Sequence, residues 1–297
     1  MQAPVNLSKK IIIPGFDGMP LYDVLEFFIT GIQKNSLSTR AASLAFRFFL
    51  ALFPFIIFLV SIIPYLPIAN FQEQLLELLR QLLPENAYDM TEGTINDLVL
   101  KKHNTLLSFG FIFAFYLASN GVNSMLIAFN ESYHAVKKGN FIYRQMRAIL
   151  ILLILTVLMI LAIGLVIFSE SIIQHLISSG HLDSGGLIYL IQVVKVLLLL
   201  LLFFLGISSL YYFGSIKSAK FRFISAGSSL ATLLSIFISS GFAYYVNHFA
   251  AYNKVYGSIG TLIVIMLWLY FNSLVLLIGY ELNASIKHAK RNKTGLE

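Results

Sequence analysis

The chain has 297 residues, of which 58% are hydrophobic and only 12% charged, with a formal net charge of +7 and no cysteine. A soluble domain carries roughly 25% charged residues, so a fully water-covered surface is excluded, and disulfide and thiolate chemistry are excluded with it. What remains is an all-α class: a polytopic membrane helical bundle, read as a single integral membrane domain over 1–297.

No apolar leader ending in a small-residue cleavage site is read in the first forty residues. Residues 20–34 instead place Leu21, Leu25, Phe28 and Ile32 on one helical face. That pattern predicts an N-terminal cytoplasmic amphipathic helix, either under the inner leaflet or packed on the bundle. Six charge-poor stretches follow, at about 41–66, 105–129, 148–169, 187–213, 223–248 and 257–282. Each is long enough to cross a hydrocarbon core of about 30 Å, and each is expected to be helical because an open strand cannot satisfy its backbone in lipid.

The first span contains "SLAFRFFLALFPF" (Ser43 to Phe55), in which Arg47 and Pro54 lie seven residues apart and share a helical face. Pro54 cannot donate to the Leu50 carbonyl. The stripe is either the lining of a cavity with a hinge in it, or a packing kink beside an arginine that snorkels to the headgroups. The loop that follows, about 67–102, carries Phe71, Leu75, Leu78, Leu79 and Leu82 on one face. Asn70 and Glu73 form a capping box and Pro84 a stop, so an outer-loop amphipathic helix is expected, as a lid or resting at the interface.

The second span has a polar stripe of Tyr116, Asn120, Asn123 and Asn130, which must point inward to find partners. It reads as an interhelical hydrogen-bond seam or as local unwinding around Gly121. Lys195 lies two turns into the fourth span, either snorkelling outward or lining an outward-facing cavity. In the fifth, Gly227, Ala231, Ser235, Ser239 and Ala243 recur every four residues. This small-residue ladder lets a second helix approach closely, within the bundle or at a dimer or sliding face. The sixth opens on an outer-mouth turn at Tyr256, Gly257 and Gly260, carries Trp268 near its middle, and holds Glu281 near its cytoplasmic end. By depth, Glu281 is expected to approach Arg47; a pair would reduce the cost of both charges and act as an inner gate or a bundle lock.

Basic residues set the orientation. Fifteen of the twenty-one Lys and Arg fall in the N-terminal segment, the second-to-third and fourth-to-fifth connections and the C-terminal tail; four fall in the other loops. The asymmetry places both termini in the cytoplasm.

The six histidines (103, 134, 175, 181, 248 and 288) are scattered, and no two stand at the i, i+4 spacing of a helical ligand pair. No catalytic site, metal site or cofactor is expected, and nuclease chemistry, which needs clustered ligands, is disfavoured. The cytoplasmic segments are too short for a nucleic-acid module.

Four stretches carry a family likeness: "RAASLAFRFFLALFPF", "RFISAGSSLATLL", "AYNKVYGSIGTLIVIMLWLYFNS" and "LIGYELNAS". In order and spacing they resemble the YihY family, also called the virulence factor BrkB family, over about residues 20–288. The resemblance implies a bacterial inner-membrane protein with six spans. The family was once labelled ribonuclease BN, and no reaction or substrate is attached to it. With membrane lipids as partners, the residues support a transporter or exporter of a lipid or another amphipathic anion. The alternative is a non-transporting scaffold or envelope-assembly partner; a homo-oligomer stays open.

Overall fold

Apolar runs of this length satisfy their backbone in lipid only as helices, and a computed structural model of the chain has that form. The structure describes residues 15–34, 36–62, 104–131, 140–178, 185–214, 222–248 and 258–294. Among them the regular elements are helices: α1 (Leu21–Lys34), α2 (Leu37–Ile62), α3 (Asn104–Asn130), α4 (Phe141–Ser178), α5 (Gly185–Gly214), α6 (Ala226–His248) and α7 (Ser258–Thr294). Five of the described helices, α3 to α7, are long and apolar enough to cross a membrane. The other stretch read as a span lies on α2, a helix of 26 residues that continues through Pro54; its side chains are described only as far as Phe53. The outer-loop helix expected near residues 70–84, and with it Tyr256 and Gly257, lies outside the described residues.

The chain divides into two units, residues 1–45 with 122–297, and residues 46–121. In the first unit, α4 packs on α5, α5 on α6, α6 on α7, and α7 on α1. The amphipathic helix α1 is therefore packed on the bundle. Its docked face is Val24 with Leu21, Phe27 and Phe28, set against Leu282, Ile286 and Ala289 of α7. Leu25 and Ile32, expected on the docked face, are exposed, as is Ile29. The reason is compositional: α1 is apolar around more than half its circumference, so periodicity alone does not choose the face that packs.

Ahead of α1, the turn 15–19 is held by its backbone. Gly15 and Gly18 take φ of +96° and +79°, and Asp17 takes +52°, a conformation that Asp tolerates better than most residues. The turn buries Phe16 and Met19 beside Val24 and Leu282. It also presents Asp17 to Arg222 at 3.3 Å and to Lys290 at 3.4 Å, so the N-terminal segment is clipped to the start of α6 and the end of α7.

In the second unit, Phe48 of α2 lies against Gly121 of α3, where an added Cβ would come within 3.1 Å of the ring. Phe49 and Phe53 meet edge to face, and Phe109 stacks on Phe113.

Candidate functional site

The segment Gly279 to Ser285, "GYELNAS", is where the first unit converges. On a helix, successive residues point about 100° apart, so a short segment can address several neighbours. Here nearly every side chain reaches a different one.

At Gly279, α7 comes close to α6. A Cβ there would lie 2.5 Å from the Tyr211 hydroxyl, 2.7 Å from the Gly227 carbonyl oxygen and 2.8 Å from the Ala231 Cβ. At Gly227 an added Cβ would run into the Gly279 carbonyl and the Asn283 amide. Two glycines thus face one another, backbone against backbone, as close helix packing in lipid requires. Asn283 uses both ends of its amide on the start of α6: its Oδ1 accepts from the Gly227 N–H at 2.8 Å and its Nδ2 donates to Ser225 Oγ at 2.9 Å. The Gly227 N–H is one of the orphan donors of the first turn of α6, so α7 caps α6 in trans. Ser225 and Ser228 exchange hydrogen bonds around the same terminus.

Tyr280 stacks on Phe129 of α3, with ring centroids 4.2 Å apart and planes nearly parallel. Tyr211 of α5 meets both rings edge to face and donates its hydroxyl to the Leu276 carbonyl at 2.7 Å. Fully buried phenol groups need such a partner.

Glu281 is 1% exposed. Its carboxylate lies directly against Gly31 of α1, at a spot where any side chain on residue 31 would collide with it. Val24, Phe27, Phe28 and Gly31 share one helical face, so the glycine is the notch in that face that admits the acid. The Glu281 charge acts on Arg40, in the first turns of α2. Arg40 also lies 4.0 Å from Glu131, and its side chain is 10% exposed. Glu281, Arg40 and Arg147 all act electrostatically on the Tyr280 hydroxyl. A further arginine, Arg144 at the start of α4, donates from Nε to Asn123 Oδ1 at 2.7 Å. Arg40 at the start of α2 is thus near Glu131 at the end of α3 and within electrostatic reach of Glu281 on α7. Among the described residues, no three His, Cys, Asp or Glu come close enough to hold a metal ion.

The sequence-derived candidates distribute as follows. Glu281 and Asn123 are buried, Asn123 as the acceptor for Arg144. Asn120 and Lys195 are half-buried, and both have interaction partners. Arg47 is exposed, and it and Pro54 belong to the second unit. Tyr116 is also exposed, unlike the rest of its stripe. Gly260 is buried in the first turn of α7. Of the ladder, Gly227, Ala231 and Ser235 are buried, Ser239 is half-buried and accepts from the Trp268 indole at 3.4 Å, and Ala243 is exposed. The drift is geometric. Four residues turn a straight helix by 400°, so each step of the ladder moves about 40° around the axis and four steps move about 160°. A ladder with that spacing leaves its partner unless the helices supercoil.

Sequence reasoning missed Arg40, Gly31, Tyr211 and Asn283. Arg40 and Arg47 are seven residues apart on one face of α2, so the stripe was visible.

Comparison with known proteins gives a consistent result. Residues 28–297 match the family described as Virulence factor BrkB. The ribonuclease-like protein YfkH of Bacillus subtilis (strain 168) is 31% identical over 258 residues, covering 85% of this chain and 91% of YfkH. A UPF0761 membrane protein of Tolumonas auensis is 24% identical over 275 residues, 90% of this chain and 86% of the relative. Another, MS0032 of Mannheimia succiniciproducens, is 24% identical over 270 residues, 90% of this chain and 91% of the relative. No solved structure matches.

Proposed function

The chain belongs to the virulence factor BrkB family of membrane proteins, and from that premise we propose that it is an inner-membrane transporter or exporter of a lipid or another amphipathic anion, with the Glu281–Arg40 pair as its cytoplasmic gate. The observation that carries this reading is Glu281 itself, a carboxylate almost wholly buried against Gly31 and within electrostatic reach of Arg40. Buried charge is costly, and hydrophobic residues of the same volume often serve stability as well or better. A fold that keeps the acid has a use for it, and an anionic substrate that competes for Arg40 would release the pair.

The protein is read as a non-enzyme. The word ribonuclease in the name of the relative YfkH is not adopted, because nuclease chemistry calls for clustered metal ligands or an equivalent catalytic group, and no metal-ligand cluster supports it among the described residues. Purified protein that cleaved RNA in a metal-dependent way, with activity lost on substituting a single residue, would reverse this.

The basic-residue count supports cytoplasmic termini. Since the chain has no cysteine, single cysteines report cleanly. Cysteines at positions 85 and 181 should react with an impermeant reagent from outside, and one at 293 should not.

The test of transport is reconstitution into proteoliposomes with a panel of anionic envelope lipids. Transport by the parent protein, lost in Glu281→Gln and Arg40→Gln variants that still fold, is the expected result. The backbone contact at Gly227 and Gly279 supports a second reading, a rigid scaffold without transport. Absence of transport for every lipid, with both variants losing only stability, would favour it.

A further inference from the structure

We infer that α5, α6 and α7 part from one another with distance from Gly279 and leave an uncharged apolar cleft that receives the hydrocarbon chain of an amphipathic ligand, with Trp268 in its wall. The inference goes beyond the transport reading by giving the tail of such a ligand a place, and it is tested by binding alone.

The three faces that close on one another near Gly279 can be followed along their helices. Seven residues make two turns less about 20°, and eleven make three turns plus about 20°, so residues at those steps share a face. On α5 the face starts at Tyr211, which is buried and donates to the Leu276 carbonyl of α7. Eleven residues back it reaches Leu200, 38% exposed, and twenty-two back Tyr189, 69% exposed. On α7 the face of Gly279 passes through Val275, which is buried, and comes eleven residues back to Trp268, 40% exposed. On α6, which runs the other way, the face of Ala231 stays buried at Ser235 and loosens to half-buried at Ile238 and Phe242. All three faces lose cover in the same direction. Helices packed at one end only leave a gap that widens toward the other, the outer end in the orientation proposed above.

The chemistry of the walls selects the occupant. Over residues 186–204, 236–247 and 262–275 the sequence has one charged side chain, Lys195. It stands sixteen residues from Tyr211, about 160° around α5 from the cleft face. The polar groups at the border are turned toward one another: Trp268 donates its indole N–H to Ser239 Oγ at 3.4 Å, and Asn272 donates from its amide to the Trp268 carbonyl at 2.9 Å. A charged headgroup would find no countercharge along these walls. A hydrocarbon chain would cover apolar surface that is costly to leave to water, and sites for such groups are mostly apolar with few polar contacts. The backbone contact between Gly227 and Gly279 closes the cleft on the side of Glu281, so a chain enters from the outer end or from the lipid.

Trp268 is the one tryptophan of the chain, which makes its fluorescence a reporter of the cleft. The test uses the purified full-length chain in a non-ionic detergent, titrated with phosphatidylglycerol whose acyl chains are dibrominated; bromine quenches an indole that it touches. Quenching is expected to saturate and to be reversed by unbrominated phosphatidylglycerol, but not by glycerol phosphate, which has the headgroup charge and no chain. Leu200→Ala should raise the concentration for half-saturation by at least about threefold. Should that variant not fold, Tyr189→Ala, on the same face nearer the mouth, should move it in the same direction. Leu233→Ala removes the same atoms from an exposed position on the far side of α6 and should leave it within about 1.5-fold of the parent value. Quenching that follows the bulk fraction of brominated lipid without saturating, reversal by glycerol phosphate, or equal shifts from Leu200→Ala and Leu233→Ala would each overturn the cleft. Saturable quenching in a protein that transports no lipid would sustain the cleft and remove the carrier reading.

Discussion

The α4–α5 pair and the α6–α7 pair are built on opposite principles. The most apolar 18-residue stretches of α4 and α5 have mean hydropathies of 3.3 and 2.8, and only 6% of either stretch is buried inside the protein. The corresponding stretches of α6 and α7 are less apolar, at 1.4 and 2.4, yet 28% and 22% of them are buried. In a soluble protein the ranking would be reversed. Lipid tails are as apolar as leucine, so hydrophobicity gives helices no reason to associate in a membrane; close packing and internal hydrogen bonds do. The Leu-rich middle of α5 faces outward with Leu197 and Leu201 exposed, while α6 brings Gly227, Ser228, Ala231, Thr232 and Ser235 into the interior. The comparison teaches that in this fold greasiness marks the periphery and small polar residues mark the core.

The sharpest way to break that comparison is at Glu281, the charge within the α7 interior. Glu281→Ala should destabilise the purified protein by about 3–5 kcal/mol, because Arg40 keeps its position and loses a buried counter-charge. Pairing Glu281→Ala with Arg40→Ala tests the assignment. The double variant should cost less than the two single changes together by on the order of 1–3 kcal/mol. Simple additivity in thermal or denaturant unfolding would show that the two charges do not depend on each other.

Next in size is the glycine contact. Gly279→Ala introduces a Cβ among the Tyr211 hydroxyl, the Gly227 carbonyl and the Ala231 methyl, none farther than 2.8 Å away. Two of those neighbours are backbone or backbone-anchored and cannot yield alone, so a loss of about 1–3 kcal/mol is expected, or more. Gly164→Ala in α4 is the matched control, since nothing lies within 4 Å of its added Cβ; it should hold or gain stability through helix propensity. A matched loss at both positions would mean that the α6–α7 approach is not what the glycine serves. Smaller again is Asn283→Ala, which strips the Gly227 N–H and Ser225 of their partner across the helices. About 1–2 kcal/mol should be lost, read as faster amide exchange in the first turn of α6 than in its middle. Uniform exchange along α6 would remove the capping role.

Legibility followed the same division. The apolar runs could be read because each needs only composition and length, and α3 to α7 start or end within a few residues of the expected limits in most cases. α4 is the exception: it is 38 residues long and extends beyond the expected 148–169 at both ends, since Phe141 to Arg147 and Glu170 to Ser178 continue the helix without a breaker. The ladder on α6 was legible as small residues, but its far end was not, because a four-residue repeat drifts off a straight helix face. The docked side of α1 escaped because Leu25, Ile29 and Ile32 match Val24, Phe27 and Phe28 in hydrophobicity. At the site, Glu281 and Asn123 stood out as polar residues in apolar surroundings, whereas Arg40 looked like one more topology signal. Its pairing depends on where α1 and α7 place Gly31 and Glu281, and that is information held in tertiary contacts.

The smallest effect is the most informative about the periphery. Leu197→Ala on α5 and Leu277→Ala on α7 remove the same atoms. Leu277 is 2% exposed and Leu197 59%. The α7 change leaves a cavity and should cost about 2–5 kcal/mol. The α5 change exchanges one apolar surface for another against lipid or detergent, so it should fall within about 0.5 kcal/mol of the parent protein. Thermal unfolding of both variants, at two protein concentrations, checks the pair. Near-neutrality of Leu197→Ala sustains the view that α5 faces lipid. A loss comparable to that at Leu277, growing as the protein is diluted, would mean that a second copy of the chain covers α5 in the membrane. The high hydropathy of that helix would then mark an interface between subunits, and the contrast between the two helix pairs would hold within one subunit but not in the assembly.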